Sequence, residues 1–332
     1  MTASPRFDIA GIGNAIVDVV APVDDLFLDK RTMRKGSMTL VDAAEAEALY
    51  AAMPPGQESS GGSAANTCAV AAGLGARVAY LGKVAQDALG DVFAHDIRAA
   101  GVSFPTARLA GGAPTARCLI LVTPDGQRTM HTYLGACVSF GEADVDTAVV
   151  ADAAVLYLEG YLFDPPAAQA AFRLAAETAH QAGRQVALSL SDAFCVDRHR
   201  VAFRELVRRH VDVLFANEAE VCSLYEVNSF DEAAEHARRD VALAALTRSE
   251  AGSRILRGGE TVQIAAMPAT VVDTTGAGDA YAAGFLAGLA ANRDLDACGR
   301  IASLAAAEVI GHYGARPQAD LLQRAKGEGL LG

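Results

Sequence analysis

Apolar runs of strand length recur along the chain, separated by alanine-rich stretches. Strands are expected in FDIAGIG (7–13), RVAYLGKV (77–84), AVLYLEG (154–160), QVALSLS (185–191), VDVLFANE (211–218) and DVALAALTR (240–248). Between them, residues 64–75, 88–101, 167–183 and 201–210 repeat apolar side chains at helical intervals. Near-continuous apolar strands alternating with helices predict an α/β fold: a mostly parallel sheet covered by helices on both faces. Two segments break the rhythm. SMTLVD (37–42) and TARCLILVTPDGQRTMHTYLG (115–135) have the half-polar character of antiparallel strands, and Asp125-Gly126 supplies a hairpin turn in the second. They predict a small β-sheet lid formed by residues 14–43 and 112–137. Residues 1–13, 44–111 and 138–332 form the large core on this reading.

Composition narrows the function. The chain has 332 residues, 52% hydrophobic and 20% charged, so it can bury a substantial core. Its net charge of −12, without a run of Lys or Arg, argues against a nucleic-acid partner. A small polyanion such as a nucleotide remains open, because backbone N–H groups and a cation can hold it. Six scattered cysteines contain no C-x-x-C pair, which argues against a zinc site or a disulfide framework. Asp8 and Asp18 interrupt the first apolar stretch, which suits a strand rather than a signal peptide. No uncharged apolar run reaches the roughly 18–20 residues that span a bilayer. The expectation is a soluble, cytoplasmic protein with no membrane partner.

Several familiar motifs are absent. Gly82-Lys83 is followed by Val84, and Arg77 stands at the first glycine position of a P-loop. GIGNAI (11–16) starts like a dinucleotide fingerprint, but Ile16 replaces its third glycine. Neither H-E-x-x-H nor G-x-S-x-G occurs.

Three other segments carry candidate chemistry. GGSAANTCAVAAGLG (61–75) leads a glycine pair, Gly61-Gly62, into a helix with Asn66 in its first turn; a flexible loop and a capped helix would look the same. NEAE (217–220) puts Asn217 and Glu220 on one helical face, as a capped surface helix also would. DTTGAGDAYAAGF (273–285) sets Gly276-Ala277-Gly278 directly before Asp279 and a helix. An Asp there can cap the first turn. It can equally serve as a base beside backbone N–H groups that hold an anion, where a larger side chain would obstruct the anion.

The three segments, in this order, resemble the ribokinase-like (PfkB) carbohydrate kinase family over nearly the whole chain. GNAIVDVV (13–20), FLDKRTMRKGSMTLVD (27–42), LSLSDAF (188–194), LFANEAE (214–220) and GHYGA (311–315) are most similar to its adenosine kinase branch. The resemblance implies a three-layer α/β/α core with a lid and an ATP-dependent kinase acting on an alcohol group. The implied reaction phosphorylates the 5′-hydroxyl of adenosine to AMP, as in purine salvage. The alternative is a sugar kinase of ribokinase or fructokinase type. A non-catalytic nucleoside or sugar sensor is a third reading, against which the presence of Asp279, Asn217 and Glu220 counts.

Site roles follow from the resemblance. Asn14, Asp18, Gly61, Gly62 and Asn66 would hold the hydroxyls of a ribose-like ring, and Arg128 would reach the transferring phosphate. Asn217 and Glu220 would organise Mg²⁺, through water, around the ATP phosphates; Thr247 and Gly252 would line the nucleotide edge. Asp279 would be the catalytic base, with the N–H groups of Gly276, Ala277 and Gly278 as its anion hole. Asp273 and Thr275 would contribute to a K⁺ site. Ser249, Ser189 and Glu159 depart from residues common in the family. Monomer and homodimer are both compatible with a lid of this kind.

Overall fold

The computed structural model describes residues 4–331; residues 1–3 and 332, the ends of the expected core segments, lie outside them. The chain forms two sheets. The larger has nine strands in the order β14-β13-β12-β11-β10-β9-β1-β5-β6. They are β1 (Phe7–Ile12), β5 (Val78–Leu81), β6 (Val102–Ser103), β9 (Ala153–Glu159), β10 (Gln185–Ser189), β11 (Val213–Asn217), β12 (Leu243–Thr247), β13 (Ser253–Arg257) and β14 (Glu260–Ile264). The run from β12 to β6 is parallel, while β13 and β14 join antiparallel.

Alternation along the strands divides the core in two. Val155 and Tyr157 of β9 enter one apolar cluster, with Ile9, Tyr80, Ala187 and Phe215. Leu156 and Leu158 enter the other, with Ile12, Leu81 and Leu188. Both faces of the sheet are thus covered, as the near-continuous apolar strands require. On the first face the helices Ala277–Ala290 and Leu295–Val309 lie close together. A Cβ on Gly284 would fall 2.7 Å from Cα of Ala302, so only glycine permits that approach.

The smaller sheet has the order β3-β8-β7-β2-β4, from β2 (Ile16–Pro22), β3 (Met38–Leu40), β4 (Gln57–Gly61), β7 (Ala116–Val122) and β8 (Arg128–Tyr133). Its β7–β8 hairpin is antiparallel and turns through Gly126 at φ 82°. Two expectations need correction. β3 pairs with β8 in parallel, not antiparallel, because β3 and β8 both run against the mutually parallel β2 and β7. β4 belongs to the small sheet, although residues 44–111 were assigned to the core; QESSG has no apolar alternation to mark it. The β13–β14 hairpin was not foreseen at all. Five of the cysteines are buried, Cys222 is half-buried, and all six are free.

Candidate active site

In open parallel sheets ligands bind beyond the carboxyl ends of the strands. Here those ends carry Asn14 just after β1, Glu159 on β9, Asn217 on β11 and Thr247 on β12. Asn217 and Thr247 are direct register partners.

The helix Ala277–Ala290 begins in this cleft. Its N-cap is Gly276 in the left-handed region (φ 80°), and no side chain caps it. A Cβ on Gly276 would lie 2.6 Å from Cβ of Ala315, whereas one on Gly278 would meet nothing within 4 Å. Smallness at Gly276 therefore serves backbone packing, and at Gly278 it leaves open space. Ala277 donates to the carbonyl of Thr274, which takes its N–H out of the expected Gly276-Ala277-Gly278 anion hole, and Ala280 donates to the carbonyl of Gly276. Among the described residues no acceptor is recorded for the N–H groups of Gly278 and Asp279. The Asp279 carboxylate does not cap them. It accepts from the Ser63 hydroxyl at 2.6 Å. Burial pushes its pKa up to about 6, against the opposing hydrogen bonds of Ser63 and Asn66.

Facing it is the start of the helix Ser63–Gly73. Gly62 has φ 95°, and a Cβ there would stand 2.1 Å from the carbonyl oxygen of Asn14. A Cβ on Gly61 would stand 2.3 Å from Asp18 Oδ2. The glycine pair thus exists so that Asn14 and Asp18 can lie against the turn. Burial raises the Asp18 pKa to about 6; Arg316 and Arg128 oppose the shift and the charge of Asp279 adds to it. Asn66 is buried, and Asn14 Oδ1 is a buried acceptor without a hydrogen-bond partner among the described residues. An unmatched acceptor at such a place suits a ligand hydroxyl.

Glu159 holds this cluster together. It is 1% exposed, and it accepts from Asn14 Nδ2 at 2.9 Å, Asn14 N at 3.2 Å and Ala64 N at 2.7 Å. Gly13 makes room for it: a Cβ there would fall 2.3 Å from Glu159 Oε2. Burial pushes Glu159 up to about 7 despite these donors, with the Asp279 charge adding to the shift. The sequence signal was an acid closing an otherwise apolar strand.

The remaining predicted residues are arranged as follows. Asn217 and Glu220 form a closed capping box: Asn217 Nδ2 donates to Glu220 Oε1 at 2.6 Å, Glu220 N to Asn217 Oδ1 at 2.9 Å and Asn217 N to Glu220 Oε2 at 3.0 Å. Burial raises Glu220 to about 7, with Asp192 and Asp279 contributing by like charge. Arg128 lies 2.6 Å from Asp273, and both side chains are under a tenth exposed. The ion pair ties the lid hairpin to the loop before Gly276. Asp273 also accepts from Thr275 N at 3.0 Å, Thr275 Oγ1 at 2.7 Å and Gly314 N at 3.3 Å. Gly252 (φ 79°) closes the β12–β13 turn, where a Cβ would stand 2.0 Å from the carbonyl of Ile264. Its smallness has a structural cause. Ser63, Asp96 and Arg316 were not among the expected site residues, although Ser63 lies inside GGSAANTCAVAAGLG and Arg316 directly follows GHYGA; Asp96 lies in neither.

Among the described residues no three His, Cys, Asp or Glu side chains form a metal cage. The charges of Asp192 and Asp279 nonetheless add to the raised proton affinity of Glu220, which a cation arriving with phosphates and its own waters would relieve. That fits Mg²⁺, which rarely uses an all-protein cage.

A doubly covered parallel sheet, a second small sheet, and an uncapped glycine-rich helix start beside a carboxylate define a phosphoryl-transfer enzyme of the ribokinase-like class. Residues 11–321 match the pfkB family carbohydrate kinase pattern, and the chain belongs to that family. The crystal structure of adenosine kinase from Sinorhizobium meliloti is 53% identical, with 97% of this chain and 99% of that one covered and a TM-score of 0.89. A probable sugar kinase from Rhizobium etli CFN 42 is 50% identical over 98% of this chain and 100% of its own, with a TM-score of 0.90. The ATP-dependent ribose-1-phosphate kinase of Halopiger xanaduensis is 30% identical, covering 80% of this chain and 85% of that protein. The protein is a kinase that phosphorylates a hydroxyl group of a small nucleoside or sugar, and kinases of this family use ATP, typically with Mg²⁺. Among the described residues no helix is long and apolar enough to cross a membrane.

Proposed function

We propose that the acceptor is adenosine and the product AMP. The observation that carries the reaction is the uncapped helix start: N–H groups of Gly278 and Asp279 without acceptors, beside a carboxylate held off the cap by Ser63. Ionised Asp279 takes the proton of the acceptor hydroxyl as its oxygen bonds to the γ-phosphorus. The bond from that phosphorus to the bridging oxygen breaks, and ADP leaves. The Gly278 and Asp279 N–H groups face the charge carried by the moving phosphoryl group. Mg²⁺ bound with the nucleotide supplies further neutralisation of phosphate charge, and Glu220 with Asn217 would hold its waters. Thr247 and Gly252 would line the nucleotide edge. Asn14, Asp18, Gly61, Gly62 and Asn66 would hold the ribose hydroxyls. Arg128, ion-paired in this structure, would turn from Asp273 toward the phosphate once the nucleotide is seated.

The nucleoside reading is supported by the Sinorhizobium meliloti relative and by exposed apolar side chains suited to a purine face. Leu40 on lid strand β3 is 59% exposed, and Phe194 beyond β10 is 74% exposed. Phe163 packs on Phe172 and Phe203 in the core and offers no such face. Turnover at equal adenosine, inosine, ribose and fructose decides the matter. Adenosine is expected to lead in kcat/KM; a tenfold lead for ribose or fructose would transfer the assignment to the sugar kinase. K⁺ at the 273–275 loop is expected to raise the rate over a large organic cation at equal ionic strength, and equal rates would remove that site. Since the Asp273 side chain is engaged with Arg128 and Thr275, backbone carbonyls would do most of the binding. On this reading the enzyme works in the cytoplasm.

A further inference from the structure

The segment Gly314–Arg316 touches both halves of the site. Gly314 N donates to Asp273, whose carboxylate pairs with Arg128 of the lid. Ala315 packs where Gly276 lacks a Cβ, at the start of the helix that carries Asp279. Arg316 reaches the acceptor side. Its Nε donates to Asn66 Oδ1 at 3.2 Å, its Nη1 to Asp96 Oδ2 at 3.0 Å, and its Nη2 to Ser60 Oγ at 2.7 Å and to the Ser60 carbonyl. Asp96 in turn accepts from Ser60 N at 2.8 Å and Ser60 Oγ at 2.6 Å. One guanidinium therefore fixes the residue before Gly61-Gly62 and the amide of Asn66 together.

The amide's orientation follows. With Oδ1 committed to the cation, Asn66 must present its NH₂ group elsewhere, and Asp279 lies within its hydrogen-bonding reach. A flipped amide would set NH₂ against the guanidinium, donor against donor. We propose that Arg316 is a positioning residue for the transfer reaction: it locks Asn66 with its NH₂ group toward Asp279 and the acceptor, and fixes the acceptor turn to the chain segment that packs on the anion hole. The inference rests on the reading of Asn66 as an acceptor ligand. Lysine cannot substitute, because a single ammonium does not span Asn66, Asp96 and Ser60 with the fixed fork that arginine supplies.

The test is a double-mutant cycle of Arg316→Gln and Asn66→Ala, run with whichever nucleoside or sugar the wild-type enzyme turns over best. Arg316→Gln is expected to lower kcat/KM for the acceptor by ~10-fold or more, with the ATP KM within about twofold of wild type. Arg316→Lys should recover little of that loss. In the Asn66→Ala background Arg316→Gln should cost almost nothing further, because the arginine acts through that amide. Additive losses in kcat/KM, or equal losses for acceptor and ATP with a matching fall in melting temperature, would overturn the proposal and leave Arg316 a structural tie. If Arg316→Gln does not fold, Arg316→Lys completes the same cycle. An Asn66→Ala enzyme as active as wild type would sink the acceptor-ligand reading itself, and the proposal with it; additivity on top of a damaging Asn66→Ala would sink the proposal alone.

Discussion

Two helices begin in the cleft with an acid at their third residue, and they use it in opposite ways. At Glu218–Tyr225 the N-cap is Asn217, and Glu220 reaches back to it, so the box is closed on itself. At Ala277–Ala290 the N-cap is Gly276, which has no side chain to offer, and Asp279 is turned away to Ser63. The first helix caps the N–H of Glu220 with its own Asn217 side chain. The second leaves donors facing the cleft beside an unspent carboxylate. Position in the helix does not separate a cap from a base; the N-cap residue and the acid's partner do. Both acids are desolvated, so neither is held in place by a large stabilising charge term: their pKa values are raised, not lowered.

The comparison breaks most visibly at Asp279→Asn. Asn is nearly isosteric and leaves the backbone donors in place, but it cannot take the proton. The loss in kcat is expected at ~10²–10⁴-fold, with ATP affinity similar or slightly better. Retention of more than about a tenth of wild-type kcat would place the base elsewhere.

The two glycines at the start of the second helix sharpen the contrast. Gly278→Ala introduces a methyl group into open space, so the fold should hold or gain slightly, while kcat falls ~10-fold as the methyl obstructs the phosphate. Gly276→Ala should do the reverse in emphasis, lowering melting temperature through its left-handed φ and the Ala315 contact. Equal thermal losses in both variants would contradict the assignment.

The pH profile adds a smaller effect. A base with a pKa of about 6 is ionised above that pH and protonated below it, so kcat/KM should fall roughly tenfold per pH unit on the acid side. A profile flat down to pH 4.5 would mean that Asp279 keeps an ordinary carboxylate pKa or does not act as base.

Much of this arrangement was readable in the chain. The six core strands announced themselves by apolar runs, and the DTTGAGD stretch pointed to the proposed anion site only in company with GGSAAN and NEAE. The unforeseen parts share a physical cause. β4 is QESSG, with no apolar side chain, and the β13–β14 hairpin intersperses charged and polar residues among its apolar ones, so neither shows the near-continuous apolar run that marked the core strands. Glu159, Asp96 and Arg316 act across separations of 95, 220 and 250 residues, to Ala64, between Arg316 and Asp96, and to Asn66 respectively. Local pattern carries no information about such partners. Capping was the ambiguous case: NEAE and GAGD look alike as helix starts, and only the side-chain partners tell them apart.

The central claim, that Asp279 is not a cap, is tested most directly by the melting temperatures of Asp279→Ala and Asn217→Ala measured side by side. Removing a true N-cap side chain costs about 1 kcal/mol. Asn217→Ala should accordingly melt lower, by roughly 2 °C or more. Asp279→Ala removes a desolvated carboxylate that caps nothing, so its melting temperature at pH 8 should equal or exceed that of wild type. A fall in Asp279→Ala as large as that in Asn217→Ala would contradict the account.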